Sequence, residues 1–196
     1  MFTVENTIKW LTIFAQKIDE NKAYLSNLDQ AIGDGDHGTN MARGTAAMKT
    51  ALTEKPFDTV QDVFKTAAMT LLSKIGGASG PLYGSAFIGM AKQSADTASD
   101  LPAIIQAGLE GIQKRGKAEA GDKTMVDVWL PVVDALKHKA LSKELIQSKV
   151  QSTEAMKAKK GRASYLGDRS TGHIDPGASS SGLLFESMIE GGVLNE

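Results

Sequence analysis

The chain has 196 residues, 41% hydrophobic and 23% charged, which suffices to bury one substantial core and falls short of two. Its 22 basic and 23 acidic residues are spread along the sequence and leave a formal charge of -1, which argues against nucleic acid or an anionic membrane as partner. Cysteine is absent, so disulfides, thiolate nucleophiles and zinc–thiolate sites are excluded, and a reducing, cytoplasmic setting is expected. The opening stretch MFTVENTIKW lacks a signal peptide's basic start and apolar run, and no window is apolar for long enough to span a bilayer.

Apolar residues recur at helical spacing almost everywhere. Leu11, Phe14 and Ile18 mark a first helical face, and Met41, Thr45, Met48 and Leu52 a second. A third helix begins at the N-capping pair Asp58-Thr59, carries Val60, Val63, Phe64, Ala67, Leu71 and Ile75, and stops at Gly76-Gly77. Ser79 and Pro81 suit a new start, giving a helix over roughly Pro81 to Ala98. Leu101, Ile104, Ile105, Leu109 and Ile112 define a fifth, ending near Gly116. Thr124 can cap a sixth through Val126, Trp129, Val133 and Leu136, with a kink or break at Pro131. Ser142 can cap a seventh through Leu145, Ile146 and Val150, and a final helix runs from about Ser179 through Leu183, Leu184, Met188 and Ile189. With no period-two strand and no internal repeat, the expected fold is an all-α bundle of about eight helices, a single domain over 1–196.

Three loops, Asp29 to Asn40, Gly76 to Pro81 and Gly161 to Gly177, concentrate glycine, acid and hydroxyl residues that a packed bundle does not require. In LDQAIGDGDHGTN the carboxylates of Asp29, Asp34 and Asp36 are brought together by turns at Gly33, Gly35 and Gly38. Two carboxylates about 5 Å apart repel by about 3 kcal/mol at an effective dielectric near 20, so three facing one another call for a cation. Magnesium suits such a loop, since it takes a few carboxylates and fills its octahedron with water and phosphate oxygens. A calcium loop counted from Asp34 fails, because its twelfth position is Thr45 where a glutamate is needed. Asp29 taken alone reads better as a helix cap in a solvated turn, and His37 reads as a metal ligand, as a hydrogen-bond donor to phosphate or as a ring oriented by the acids, with phosphate contact or support of the metal ligands preferred.

Gly38-Thr39-Asn40 leads into a helix whose free N–H groups can bind an anion, and Gly76-Gly77-Ala78-Ser79-Gly80-Pro81 repeats the arrangement. A C-cap followed by an N-cap would give the same pattern. The last loop, GRASYLGDRSTGHIDPG, holds Arg162, Arg169, His173 and Asp175; an arginine there can neutralise phosphate, and Asp175-Pro176-Gly177 is also ordinary turn chemistry. There is no Walker sequence, kinase catalytic loop or dinucleotide fingerprint, so the familiar phosphate-binding folds are excluded.

The run from Asp29 through Gly33-Asp34-Gly35-Asp36-His37-Gly38-Thr39-Asn40-Met41, then Gly76 to Tyr83, Gln113 to Ala118, Gly121 to Asp127, Gly161 to Gly167 and His173 to Gly177, resembles the nucleotide-binding L subunits of bacterial dihydroxyacetone kinases. The resemblance implies a barrel-like bundle of antiparallel helices with ADP or ATP at one rim, bridged to the protein by a pair of Mg2+ ions. It implies metal ligation by Asp29, Asp34 and Asp36. Nucleotide contacts would come from His37, Gly38, Thr39, Asn40, Ala78, Ser79, Gly116, Met125, Arg162, Asp175, Pro176 and Gly177, with Arg162 also a charge stabiliser and no nucleophile in the chain. The implied partners are a K subunit holding dihydroxyacetone on a histidine and a phosphohistidine-bearing M subunit of the phosphotransferase system, with free ATP as the other donor. Two further readings stay open: the nucleotide-binding component of a fatty-acid kinase-like system, and a nucleotide-sensing module without enzymatic activity.

Overall fold

The computed structural model, described over residues 1–97 and 99–194, turns the apolar spacing into helices that each bury one face. In chain order they are α1 (Val4–Glu20), α2 (Lys22–Ile32), α3 (His37–Thr53), α4 (Val60–Lys74), α5 (Ser79–Thr97), α6 (Leu101–Gly116), α7 (Val126–Lys137), α8 (Lys143–Ser152) and α9 (Pro176–Glu190). Two 3-10 segments, Thr153–Ala155 and Arg162–Ser170, lie between α8 and α9. Among the described residues there is no strand, and no helix is long and apolar enough to cross a membrane.

The caps follow from local chemistry. Thr3 and Asn6 form a reciprocal capping box at α1, Thr59 accepts from the Asp62 N–H at α4, and Ser142 accepts from the Leu145 N–H at α8. Several boundaries differ from the sequence expectation. Leu11, Phe14 and Ile18 all fall on α1, which Asn21 ends by donating its side-chain amide to the Lys17 carbonyl; the chain restarts at Lys22 as α2, a helix not singled out from sequence. The Asp29 to Asn40 loop is mostly helical, with Asp29 in the last turn of α2 and His37 opening α3. α5 starts at Ser79, ahead of Pro81, and its expected end at Ala98 lies outside the described residues, as does the domain end at 196. α7 begins at Val126, after a Thr124 hydroxyl that accepts from the Val126 N–H, and continues through Pro131 without a break. α9 opens at Pro176, where proline's missing N–H is no loss, and is capped by Asp175.

Helix α3 packs on α1, α2 and α4, α4 on α5, α5 on α6, and α6 on α7; α7 and α8 meet α9, which returns to α1 and α2. The order of neighbours therefore closes on itself. Inside lies an aromatic cluster in which Trp10 stacks on Phe2 at 5.6 Å and meets Phe64 edge-on at 6.2 Å, while Trp129 meets Phe185 edge-on at 4.8 Å. With these rings and the Leu, Ile, Val and Met residues around them fully buried, the connections at one end of the bundle are left to carry polar chemistry.

Candidate functional site

The acidic turn is built by α2 and α3 together. Asp29 Oδ2 accepts the Asp36 and His37 N–H groups at 2.9 and 3.0 Å, satisfying donors that the start of α3 leaves without intrahelical partners. The three glycines do different jobs there. Only Gly35 has a left-handed backbone, with φ of 78°. A Cβ on Gly33 would lie 2.1 Å from Asp29 Oδ1, and one on Gly38 would lie 1.8 Å from the Lys22 carbonyl oxygen. Both are therefore needed for close approach, Gly38 by letting α3 sit against the start of α2.

Asp29, Asp34 and Asp36 each offer a carboxylate oxygen, all within 4.8 Å of one another. Desolvation pushes the Asp29 carboxyl above its usual range; the two backbone N–H bonds pull it down, and the Asp34 and Asp36 charges push it further up. An all-oxygen, hard-ligand set at this spacing, open to solvent at Asp34 and Asp36, fits a hydrated divalent cation that also binds phosphate. The Arg162 guanidinium reaches across to Asp34 at 3.3 Å and ties the second 3-10 segment to the acidic turn.

These acids border a cavity of about 500 Å3, within the range of small-ligand sites. Among the described residues, the opening residues of four helices line it: His37 of α3, Ser79 of α5, Val126 of α7 and Pro176 of α9. Four helix N-termini aimed at one space give it a positive character that favours an anion. Away from the acids the wall is apolar, formed by Pro81, Leu82, Ile112, Ala118, Met125 and Val126, and suits a flat hydrophobic ring system. One end thus suits cation and phosphate, the other a base.

Of the residues singled out from sequence, Asp29, Asp34, Asp36, His37, Asn40, Ala78, Ser79, Gly116, Met125, Arg162, Asp175, Pro176 and Gly177 line this cavity. Gly38 and Thr39 do not: Gly38 is buried against α2, and the exposed Thr39 donates its hydroxyl to the Asp36 carbonyl. Neither Arg169 nor His173 lines it either, although the His173 backbone carbonyl is held by a buried lysine. His37 presents no free ring nitrogen to the cavity. Its Nδ1 lies 3.1 Å from Ser79 Oγ and its Nε2 2.9 Å from Ser180 Oγ, and burial pushes its pKa down to about 4, so the ring is neutral.

Other residues of the site escape a sequence reading. Lys123 is 2% exposed; its ammonium donates to the carbonyls of Thr153 and His173, fastening the turn before α7 to the turn before α9. Asp127 accepts from the Gly121 and Thr124 N–H groups at 2.6 and 2.9 Å and shapes the same turn. Arg43 donates to Asn40 Oδ1 at 2.7 Å and to the Lys74 carbonyl at 3.0 Å, which orients the Asn40 amide at the wall. Lys123 sits in a polar stretch with no periodic signal of burial, and the exposed Arg43 is tied to the site only through its contacts, so the packing alone identifies both. Asp175 caps α9 by accepting the Ala178 N–H at 2.8 Å. Desolvation raises its pKa to about 7, against the lowering effect of that bond and of the Lys123 charge.

The sequence matches the DAK2 domain family over residues 31–190. It is 57% identical over 186 residues to the PEP-dependent dihydroxyacetone kinase 1, ADP-binding subunit DhaL, of Listeria innocua, covering 93% of this chain and 94% of that protein. It is 55% identical to the PTS-dependent dihydroxyacetone kinase, ADP-binding subunit DhaL, of Lactococcus lactis, covering 97% and 98%. The crystal structure of the dihydroxyacetone kinase from C. freundii in complex with AMP-PNP and Mg2+ superposes with a TM-score of 0.76 at 22% identity, covering 97% of this chain and 34% of that longer one, and shares its fold. With a family match across most of its length and near-complete alignment to the Listeria and Lactococcus subunits, this chain belongs to the DAK2 domain family, among the DhaL subunits of bacterial dihydroxyacetone kinases.

Proposed function

We propose that this chain is the ADP-binding subunit of a phosphoenolpyruvate-dependent dihydroxyacetone kinase, receiving a phosphoryl group on bound ADP and delivering it from ATP to dihydroxyacetone held by a partner. The observation that carries this reading is that three carboxylates, within 4.8 Å of one another, border the same partly apolar cavity as the opening residues of four helices. In this reading Asp29, Asp34 and Asp36 hold a pair of Mg2+ ions, and the N-terminal turns of α3, α5 and α9, with Asn40, Ala78, Ser79, Pro176 and Gly177, surround the phosphates. Gly116 and Met125 belong to the adenine wall. Bound Mg2+ would supply charge neutralisation at the phosphates and a template for in-line transfer.

The chain's own part is positioning and electrostatics. Backbone N–H groups at helix starts donate to phosphate oxygens without reorganising, and Arg162, on a solvent-exposed segment at the mouth, stabilises the charge that develops on transfer. No side chain here serves as the nucleophile; acceptor and primary donor come from elsewhere. A K subunit carrying dihydroxyacetone and an M subunit carrying phosphohistidine complete the proposal, together with a cytoplasmic location and the use of residues 1–196 as one nucleotide-binding unit. The four N-termini and the acid cluster at one rim support docking of both partners at that rim, since the terminal phosphate has to be reached there.

Mass spectrometry and metal analysis of the purified, undialysed protein test the reading, with a retained adenine nucleotide and magnesium as the expected result. Calorimetry adds a second arm: Asp36→Asn should weaken Mg2+–ADP binding at least about tenfold while the helical circular dichroism is kept. Unchanged affinity in both Asp34→Asn and Asp36→Asn would remove the metal assignment.

A further inference from the structure

Lysine is almost never fully buried unless its ammonium is paired. Among the described residues Lys123 is the only buried lysine or arginine. Its backbone is unusual as well, with φ of 61° in the left-handed region that favours glycine. Such a conformation persists only where the surroundings impose it. Here they do: the Asp127 carboxylate accepts the N–H groups of Gly121 and Thr124, on either side of Lys123. Asp122 Oδ2 accepts the Glu119 N–H at 2.9 Å, and the Asp122 carbonyl accepts the Lys159 N–H at 3.1 Å.

The turn so fixed delivers an ammonium between two other segments. Lys123 Nζ donates to the Thr153 carbonyl at 2.7 Å and to the His173 carbonyl. Thr153, wholly buried, extends the connection: its Oγ1 donates to the Val150 carbonyl at 2.7 Å and accepts the Asp175 N–H at 3.0 Å. Lys123 stands two residues before Met125 of the apolar wall, and His173 and Asp175 lead directly into Pro176 and Gly177 at the start of α9. The two openings touch, since a Cβ on Gly177 would lie 3.7 Å from the Met125 Cβ. Burial lowers the Lys123 pKa below the usual lysine value, against the raising effect of the Asp175 and Glu154 charges. An apolar side chain would fill the same volume without that desolvation cost, so what the lysine adds is the geometry its bonds impose.

We infer that Lys123 and Thr153 are positioning residues that hold the base wall at Met125 in register with the phosphate-binding start of α9, so that a single nucleotide reaches both. The identity of the ligand rests on the proposed function. Thr153 does not line the cavity and acts on a ligand only through the turns it joins. A ligand that spans two contacts gains from both only while their separation is fixed. Loosening the bridge therefore penalises the spanning ligand, whereas a fragment that uses one contact follows its own end of the cavity.

Comparing whole ligand with fragments tests this. Lys123→Met keeps the apolar length of the side chain and removes its donors. Mg2+–ADP, Mg2+–pyrophosphate and adenosine are titrated into the unaltered protein and the variant, with binding followed by NMR. Mg2+–ADP should bind at least about tenfold more weakly to the variant. Pyrophosphate and adenosine should each change by less than about twofold. A loss for pyrophosphate equal to that for ADP would place the effect in the phosphate site alone, and an equal loss for adenosine would place it in the base wall alone. Either result overturns the register role, as does unchanged ADP binding, which would leave Lys123 a part in stability only. Thr153→Val keeps the side-chain shape and loses the hydroxyl that receives the Asp175 N–H, so it should give the same pattern at about three- to tenfold. It decides the matter if Lys123→Met loses the helical circular dichroism. Failure of the unaltered protein to bind Mg2+–ADP would remove the nucleotide reading itself, whereas normal binding there with no ADP-specific loss in either variant sinks the positioning role alone.

Discussion

Asp175 serves α9 as a cap, yet the burial that places it there opposes its charge. Its pKa rises from 3.8 in the unfolded chain to about 7, so between these values the folded protein holds the extra proton and stability falls as pH rises, by up to about 1.4 kcal/mol per pH unit. His37 acts with the opposite sign. Its folded pKa is lowered from 6.5 to about 4, so across that window the unfolded chain takes up the proton and stability is lost as pH falls. Asp175→Asn keeps an acceptor for the Ala178 N–H and leaves His37 alone, so comparison with the unaltered protein isolates the carboxyl. In urea denaturation of the ligand-free protein, the variant's advantage should be greater at pH 8 than at pH 5 by about 1–2 kcal/mol. An advantage independent of pH would mean that Asp175 titrates normally. Arg162 is a contrasting case: its side chain is 72% exposed and its ion pair with Asp34 belongs to the class worth about 0–1 kcal/mol. Arg162→Ala should therefore leave the melting temperature within a few degrees, about what 1 kcal/mol moves it. It should lower phosphoryl transfer in the reconstituted system by roughly 10- to 100-fold. A variant with full transfer activity would end its assignment as a charge stabiliser.

At the scale of elements, the α2–α3 contact sets the geometry of the acidic turn. Gly38→Ala forces a Cβ onto the Lys22 carbonyl oxygen, and backbone, unlike the end of a flexible side chain, cannot step aside. The expected cost is at least about 2 kcal/mol, with weakened Mg2+–ADP binding, because α2 carries Asp29 and α3 starts at His37. Gly172→Ala is the control: φ is 89°, nothing lies within 4 Å and the residue does not line the cavity, so only backbone strain of about 1–3 kcal/mol applies and binding is retained. Mg2+–ADP calorimetry of the pair separates close approach from backbone strain; equal losses of affinity would contradict the contact argument. The glycines in GDGDHG were legible as a signal for bringing acids together. That Gly33 and Gly38 serve packing and Gly35 serves the turn was not, because spacing along the chain does not show which backbone lies opposite. The split between α1 and α2 was hidden for a related reason, since Asn21 interrupts the helix while the apolar residues on either side continue at compatible spacing.

For the whole molecule, the bundle brings the starts of four helices and the acid cluster to one rim, while Met69 and Leu72 of α4 and Ile88 of α5 are exposed on other faces. Phosphoryl transfer needs donor and acceptor in line at near-attack distance, and in the proposed reading the described residues at this rim serve metal, phosphate and base. The isolated chain should thus fail to phosphorylate dihydroxyacetone, whereas mixing it with a K subunit and a phosphoryl donor should yield the phosphate ester, followed by an enzymatic assay of product. Robust product from this chain alone, once contaminating kinase is excluded, would overturn the donor-subunit proposal.

The sequence by itself determined the all-helical class, most helix starts and the acid cluster, because apolar spacing, capping residues and short-range glycine turns are local and leave a direct trace in residue order. It also brought forward most residues of the cavity wall through motif resemblance, although Gly38 and Thr39 turned away from it. Tertiary structure alone decided that four helix N-termini share one space, that Lys123 is buried between two turns, and that His37 is sealed between Ser79 and Ser180. Those contacts join residues far apart in the chain, and they depend on the angle at which whole helices meet, which no stretch of sequence specifies locally.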